Sequence, residues 1–165
     1  MKRLILLVGI PGSGKTTLAK RLSTKGFDRL CADDIRLELY GNEAEQGNPK
    51  EVFAIFFERL ESLLTADKDV VIDNTNVKRD HRRQILECAR KFRYKDIQLW
   101  HLDVPLEICL QRNKAREREV DEKVVTRLFN DLGSFHKPDA NEAKIVIIKA
   151  GESGQWQFSF PPQTK

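Results

Sequence analysis

The chain has little cysteine, no long apolar run and no low-complexity tract, and each shortage excludes something. Its three cysteines, Cys31, Cys88 and Cys109, are odd in number and far apart. They offer neither a disulfide framework nor metal-ligand spacing, and read as free thiols of a reducing compartment. No apolar stretch approaches the roughly 20 residues that a membrane span requires. Met1-Lys2-Arg3 ahead of apolar residues imitates a secretory signal, yet that run is too short and passes straight into a glycine-rich turn. A cytoplasmic location without membrane contact is therefore expected. The three histidines (His81, His101 and His136) share no motif and read as surface or core residues. No internal repeat or convincing linker interrupts the 165 residues, so a single domain with a real core is expected.

What is present is a soluble globular composition, 40% hydrophobic and 33% charged. The net charge of +4 suits anionic partners without being a nucleic-acid signature in itself. The organising stretch lies at the start. Leu4 to Val8 is a short apolar run, and Gly9, Gly14, Lys15 and Thr16 after it fit G-x-x-x-x-G-K-[ST]. Glycines let the backbone curl so that successive N–H groups point at phosphate oxygens, and the following helix adds its positive dipole end. Gly9, Pro11, Gly12, Ser13, Gly14, Lys15, Thr16 and Thr17 are thus the candidate nucleotide-binding residues. Lys15 is expected to reach the β- and γ-phosphates and the Thr16 hydroxyl to ligate Mg²⁺. ATP and Mg²⁺ are the expected cofactors.

Downstream, strands alternate with helices. Strands are expected at 4–8, 27–32, 70–72, 97–102 and 145–148, and helices from Lys15, over 35–40, from Pro49, over 78–94, 105–116 and 120–132. Gly26 is expected to stop the first helix, and Asn48-Pro49-Lys50-Glu51 to start the third. Phe53, Phe56, Phe57, Leu60, Leu63 and Leu64 follow at helical spacing and read as core. Residues 42–48 read as a polar loop. The expected fold is a three-layer α/β domain over 1–150, with roughly five parallel strands, and a C-terminal tail over 151–165.

In such sheets ligands gather at the carboxyl ends of strands, and each strand end here carries polar chemistry. The second ends in Asp33, Asp34 and Arg36, the third in Asp73, Asn74, Thr75 and Asn76, the fourth in Asp103. Of the adjacent acids Asp33 and Asp34, one is expected to cap a helix and the other to face the site as a base. Arg36 pairs with an anionic acceptor group or makes a surface ion pair. Asp73 closes an apolar strand in the manner of an acid that holds Mg²⁺ through water, while Thr75 and Asn76 offer polar groups to an acceptor or simply make a turn. Residues 78–95 hold eight basic and two acidic residues, a local +6, read either as a solvated face or as a polyanion contact. Residues 112–127 carry Arg112, Arg116, Arg118 and Arg127 among acids and read as a helical lid with one or two functional arginines, or as an exposed salt-bridged pair of helices.

Taken in order, GIPGSGKTT (9–17), ADDIR (32–36), VVIDNTN (70–76) and LDVPLEICLQRNKAR (102–116) resemble the kinase domain of polynucleotide 5′-hydroxyl kinases, in the P-loop kinase group. The resemblance implies that Asp33 is the general base for an acceptor 5′-OH and that Arg36 holds the phosphate beside it. It implies that Arg116, four beyond Arg112, contacts the donor phosphates from the lid, and that residues 73–76 line the acceptor channel. Nucleic acid 5′ ends are then the implied partner, and no obligate protein partner is inferable. The segment 41–65 matches no motif, so a kinase for a small sugar or nucleoside stays open, as does a nucleotide-dependent switch.

Overall fold

The computed structural model describes residues 2–42, 47–150 and 156–160. Residues 43–46 of the expected polar loop and residues 151–155 and 161–165 of the expected tail lie outside the described residues. Six strands make one sheet: β1 (Arg3–Val8), β2 (Asp28–Leu30), β3 (Val70–Ile72), β4 (Asp96–Leu102), β5 (Lys144–Ala150) and β6 (Trp156–Ser159). Their spatial order is β2-β3-β1-β4-β5-β6. The first five pair in parallel, and β6 joins β5 antiparallel, with Ile148 opposite Phe158. The expectation of about five parallel strands therefore gains an antiparallel edge strand. That strand escaped the sequence reading because it is short and largely exposed.

Leu4 to Val8 of β1 are wholly buried, as a strand covered on both faces must be. Around the sheet run α1 (Lys15–Ser23), α2 (Ala32–Tyr40), α3 (Pro49–Thr65), α4 (Arg79–Lys91), α5 (Leu106–Lys114) and α6 (Glu122–Ser134). Helix α3 starts as its sequence dictates: Asn48 accepts from the Lys50 N–H at 3.1 Å and Pro49 takes the first turn. Val52, Phe56, Leu60 and Leu64 recur every four residues and bury one stripe. Asp121 caps α6 in the same way, accepting from Lys123 N–H at 2.7 Å. Helix α1 ends at Ser23, and Gly26 follows at φ +94°, a left-handed turn suited to glycine. No helix among the described residues is long and apolar enough to cross a membrane.

One boundary differs in a way that matters. Helix α2 begins at Ala32, three residues before the expected start, and Cys31 is its N-cap without a side-chain bond. Asp33 and Asp34 thus both sit inside the first turn, and neither caps. The cap comes from outside: Asn74 Oδ1 accepts from the Ala32 N–H at 2.9 Å. A residue at the β3 exit therefore fixes where the acidic turn of α2 points.

Candidate active site

The glycine-rich loop leaves β1 and is tied at its start to the β3 exit, Gly9 N–H donating to the Thr75 carbonyl at 3.0 Å. Gly12 (φ +83°) and Gly14 (φ +97°) take left-handed conformations that other residues adopt only under strain. Both also stand against neighbours: a Cβ on Gly12 would lie 2.3 Å from the Cys109 carbonyl oxygen, and one on Gly14 2.5 Å from the Trp156 ring. Lys15, only 8% exposed, donates to the Ile10 carbonyl at 2.8 Å and lies 3.4 Å from Ser13 Oγ. Burial lowers its ammonium to about 8, against the opposing pull of the Asp73 carboxylate. Pro11, Gly12, Gly14, Lys15, Thr16 and Thr17 line a cavity of about 720 Å³, whereas Ser13 is fully buried beneath them. Gly9 closes against that serine, a Cβ there meeting Ser13 Oγ at 2.6 Å.

Across the cavity floor Thr16 Oγ1 faces Asp73 Oδ1 at 3.4 Å. The other Asp73 oxygen accepts from Arg29 Nε at 2.8 Å, and Arg29 Nη1 reaches Asp34 Oδ2 at 2.5 Å. Asp73 is almost wholly buried, so this guanidinium balances a carboxylate with little exposure to solvent. Beside the network, burial and the Asp73 charge push the Cys31 thiol up to about 11, which keeps it protonated. No three His, Cys, Asp or Glu side chains among the described residues form a metal cage. A hydroxyl and one carboxylate are nonetheless hard oxygen donors of the kind Mg²⁺ uses when phosphates and water complete its shell. The residues fit that ion.

A second cavity, about 470 Å³, opens beyond α2. Asp33, Asn74 and Thr75 line both cavities, so Asp33 stands on the boundary between them. Asp33 Oδ1 accepts from Arg36 Nη1 at 2.5 Å, and Arg118 Nη1 lies 3.4 Å from Asp33 Oδ2. Arg36 lines the second cavity, and its Nε is buried without a hydrogen-bond partner. A guanidinium on that wall suits an anionic ligand group. Asn76 also borders this cavity, but its amide nitrogen is spent on the Leu7 carbonyl at 2.6 Å, and its backbone is left-handed (φ +49°).

The rest of that wall went unrecognised from sequence. Pro49, Lys50, Phe53 and Phe57 of α3, with His81 and Gln84 of α4, line the cavity. The aromatic stripe therefore divides: Phe56 is core, while Phe53 and Phe57 are half-buried and face the opening, with His81 tilted against Phe53 at 5.9 Å. Two phenylalanines flanking a fully apolar position were the available signal. His81 correspondingly belongs to a cavity wall, where burial and Lys78 hold its imidazole below the ordinary value.

Arg112 and Arg116 line the donor-side cavity from α5 and the segment beyond it, as does Arg118. Arg127 lies instead along a separate groove with Glu119 and Glu122. Asn113, 1% exposed, secures the turn between α5 and α6 by donating to the Val120 carbonyl (2.7 Å) and accepting its N–H (3.1 Å). Asp103 stands away from both cavities, 3.9 Å from Lys149, so the fourth strand end does not join the site. The basic helix α4 is less cationic outward than its composition implies. Arg82 is fully buried and holds Glu142 through two bonds of 2.8 Å, and Arg79 pairs with Asp139 at 2.9 Å.

A phosphate-binding loop on a central parallel strand, a cradling lysine, a strand-end acid opposite the loop threonine and a helical cover define an α/β P-loop kinase-like fold. The chain belongs to the AAA domain family, whose model matches residues 4–138. It is 28% identical over 144 residues to the bifunctional polynucleotide phosphatase/kinase of Schizosaccharomyces pombe, covering 86% of this chain and 31% of that protein. Among solved structures it resembles the Pnkp1/Rnl/Hen1 RNA repair complex, with a TM-score of 0.72 and 22% identity over 80% of this chain and 44% of the other. It also resembles a gluconokinase from Sinorhizobium meliloti 1021, with a TM-score of 0.58 and 17% identity over 92% of this chain and 84% of the other. The chain thus spans less than a third of that curated relative and under half of the repair-complex subunit.

Proposed function

We propose that the protein is an ATP-dependent phosphotransferase that moves the γ-phosphate to the 5′-OH of a polynucleotide, DNA or RNA. The observation that carries this reading is the position of Asp33, on the shared wall of the glycine-rich-loop cavity and a second cavity lined by the cation Arg36. Donor phosphates lie along the glycine-rich loop, with Lys15 on the β- and γ-phosphates and Arg112 and Arg116 above them. Thr16, and Asp73 through water, would hold Mg²⁺, which neutralises charge developing on the phosphates. In the second cavity Arg36 takes the phosphate next to the acceptor hydroxyl, and Thr75 and the Asn76 backbone turn complete the wall. Asp33 accepts the hydroxyl proton as that oxygen attacks the γ-phosphorus in line and the bond to ADP breaks. Residues 1–150 act as the kinase domain, with 112–127 as its lid.

Kinship with a polynucleotide phosphatase/kinase supports the acceptor class, and likeness to a gluconokinase supports a second reading in which a small hydroxylated metabolite fills the 470 Å³ cavity. The test is transfer from γ-labelled ATP with Mg²⁺ to 5′-OH oligonucleotides and to a panel of sugars and nucleosides. Labelled oligonucleotides, with acceptor affinity falling steeply as salt rises, support the polynucleotide reading. Transfer to a metabolite alone overturns it.

A further inference from the structure

We infer that Arg118 is a latch that occupies the proposed base, Asp33, until an acceptor arrives, and so restrains wasteful hydrolysis of ATP. The inference rests on the reading of Asp33 as the base but not on which acceptor it serves. Every phosphotransferase faces the same competition, since water is far more abundant than any acceptor hydroxyl. With the acceptor cavity empty, water entering near the γ-phosphorus could lose a proton to Asp33 while its oxygen displaces ADP, releasing inorganic phosphate.

The geometry places an arginine where it blocks that event. Asp33 has two oxygens. Oδ1 accepts from Arg36, on its own helix, and Oδ2 faces Arg118, which comes from the cover of the donor cavity 85 residues away. Arg36 is hydrogen-bonded to one oxygen, and the Arg118 guanidinium stands 3.4 Å from the other, so a water approaching Oδ2 from the donor side must compete with Arg118 for it. The turn that carries Arg118 is not loose: the Asn113 amide clamps the Val120 backbone from both sides, fixing the base of the segment between α5 and α6. Arg118 lines the donor cavity but not the acceptor cavity, so it meets Asp33 from the ATP side. The pair is half-exposed and 3.4 Å apart, a contact weak enough to be exchanged when an acceptor hydroxyl offers Asp33 a better-placed proton. Arg118 is in this sense a positioning residue that couples the lid to the acceptor side.

The experiment measures phosphate release from ATP-Mg²⁺ without any acceptor, using the full chain and the variants R118A, R118K and D33N/R118A. Arg118→Ala should raise acceptor-free hydrolysis about tenfold, part of the roughly 10²–10⁴ that a positioned base supplies. Arg118→Lys should stay near the parent, and adding Asp33→Asn should abolish the gain. ATP affinity and thermal midpoint, measured alongside, show that the donor site and fold survive. Hydrolysis that falls or stays level in Arg118→Ala overturns the latch and makes Arg118 a phosphate contact. A gain that persists in the double variant also overturns it. Because no acceptor is used, these outcomes are independent of whether oligonucleotides are phosphorylated.

Discussion

Arg29 donates Nε to Asp73 Oδ2 at 2.8 Å across the β2–β3 boundary, and with it settles the charge of the most buried carboxylate in the site. The same guanidinium holds Asp34, one residue from the proposed base. Arg29→Met should therefore act twice. Losing the partner of a buried carboxylate should cost about 3 kcal/mol, the low end for broken buried pairs because Arg29 keeps some solvent contact. Turnover should fall as well, because Asp73 no longer presents Oδ1 to Thr16. Urea unfolding and steady-state kinetics check both, and a variant with the parental midpoint would refute the charge-balancing role.

How much of this was legible in the sequence follows from which interactions are local. The apolar run 4–8, the loop spacing and the cap at Asn48 are short-range patterns, and the structure reproduces them. Capping is a local habit of aspartate, which makes either Asp33 or Asp34 the expected cap, yet Asn74, 42 residues beyond Ala32, supplies it. Arg29 was invisible for the same reason, its partner Asp73 lying 44 residues on. Arg82 looked like one more surface cation of a basic helix, and only the fold shows it wholly buried against Glu142. Helical spacing marked the aromatic stripe of α3 but could not say that Phe53 and Phe57 meet a cavity while Phe56 meets the core. Periodicity reports one face of a helix, not what covers each edge of it.

Asn74→Ala tests the distant cap. Removing an N-cap acceptor costs about 1 kcal/mol, and here it also frees the turn that carries Asp33. Stability should drop by about that amount, and turnover should fall more than ATP affinity does. Asn74→Asp keeps an acceptor oxygen and should recover most of the stability. Denaturant midpoints of the two variants decide it; equal losses in both would mean that the bond to Ala32 is not what matters.

Gly12→Ala asks whether the loop tolerates any side chain. The left-handed backbone costs a non-glycine residue roughly 1–2 kcal/mol. The new methyl would also stand 2.3 Å from the Cys109 carbonyl, a backbone atom of α5 that cannot swing aside. The loop must therefore shift away from α5, and ATP affinity should fall at least about tenfold, the equivalent of 1.4 kcal/mol. Titration calorimetry with ATP-Mg²⁺, beside thermal unfolding, reads both effects. Parental affinity would show that the loop adapts.

Lys15 predicts two pH trends that run in opposite directions. Its ammonium ordinarily titrates at 10.5, and burial brings it to about 8 in the folded chain. Between those values the unfolded chain holds more protons than the folded one, so this group's contribution to stability rises with pH across that window and is smallest below 8. Binding runs the other way. Only the charged form pairs with phosphate, and bound phosphate raises the lysine's proton affinity, so the complex takes up a proton above pH 8. The ATP dissociation constant should be flat below 8 and then climb by up to about tenfold per pH unit. Lys15→Arg stays charged throughout and should flatten the climb, whatever it does to turnover. Calorimetry in buffers of different ionisation enthalpy counts the protons directly. Zero uptake at pH 9, with affinity unchanged from pH 7, would mean that the buried lysine keeps its ordinary value.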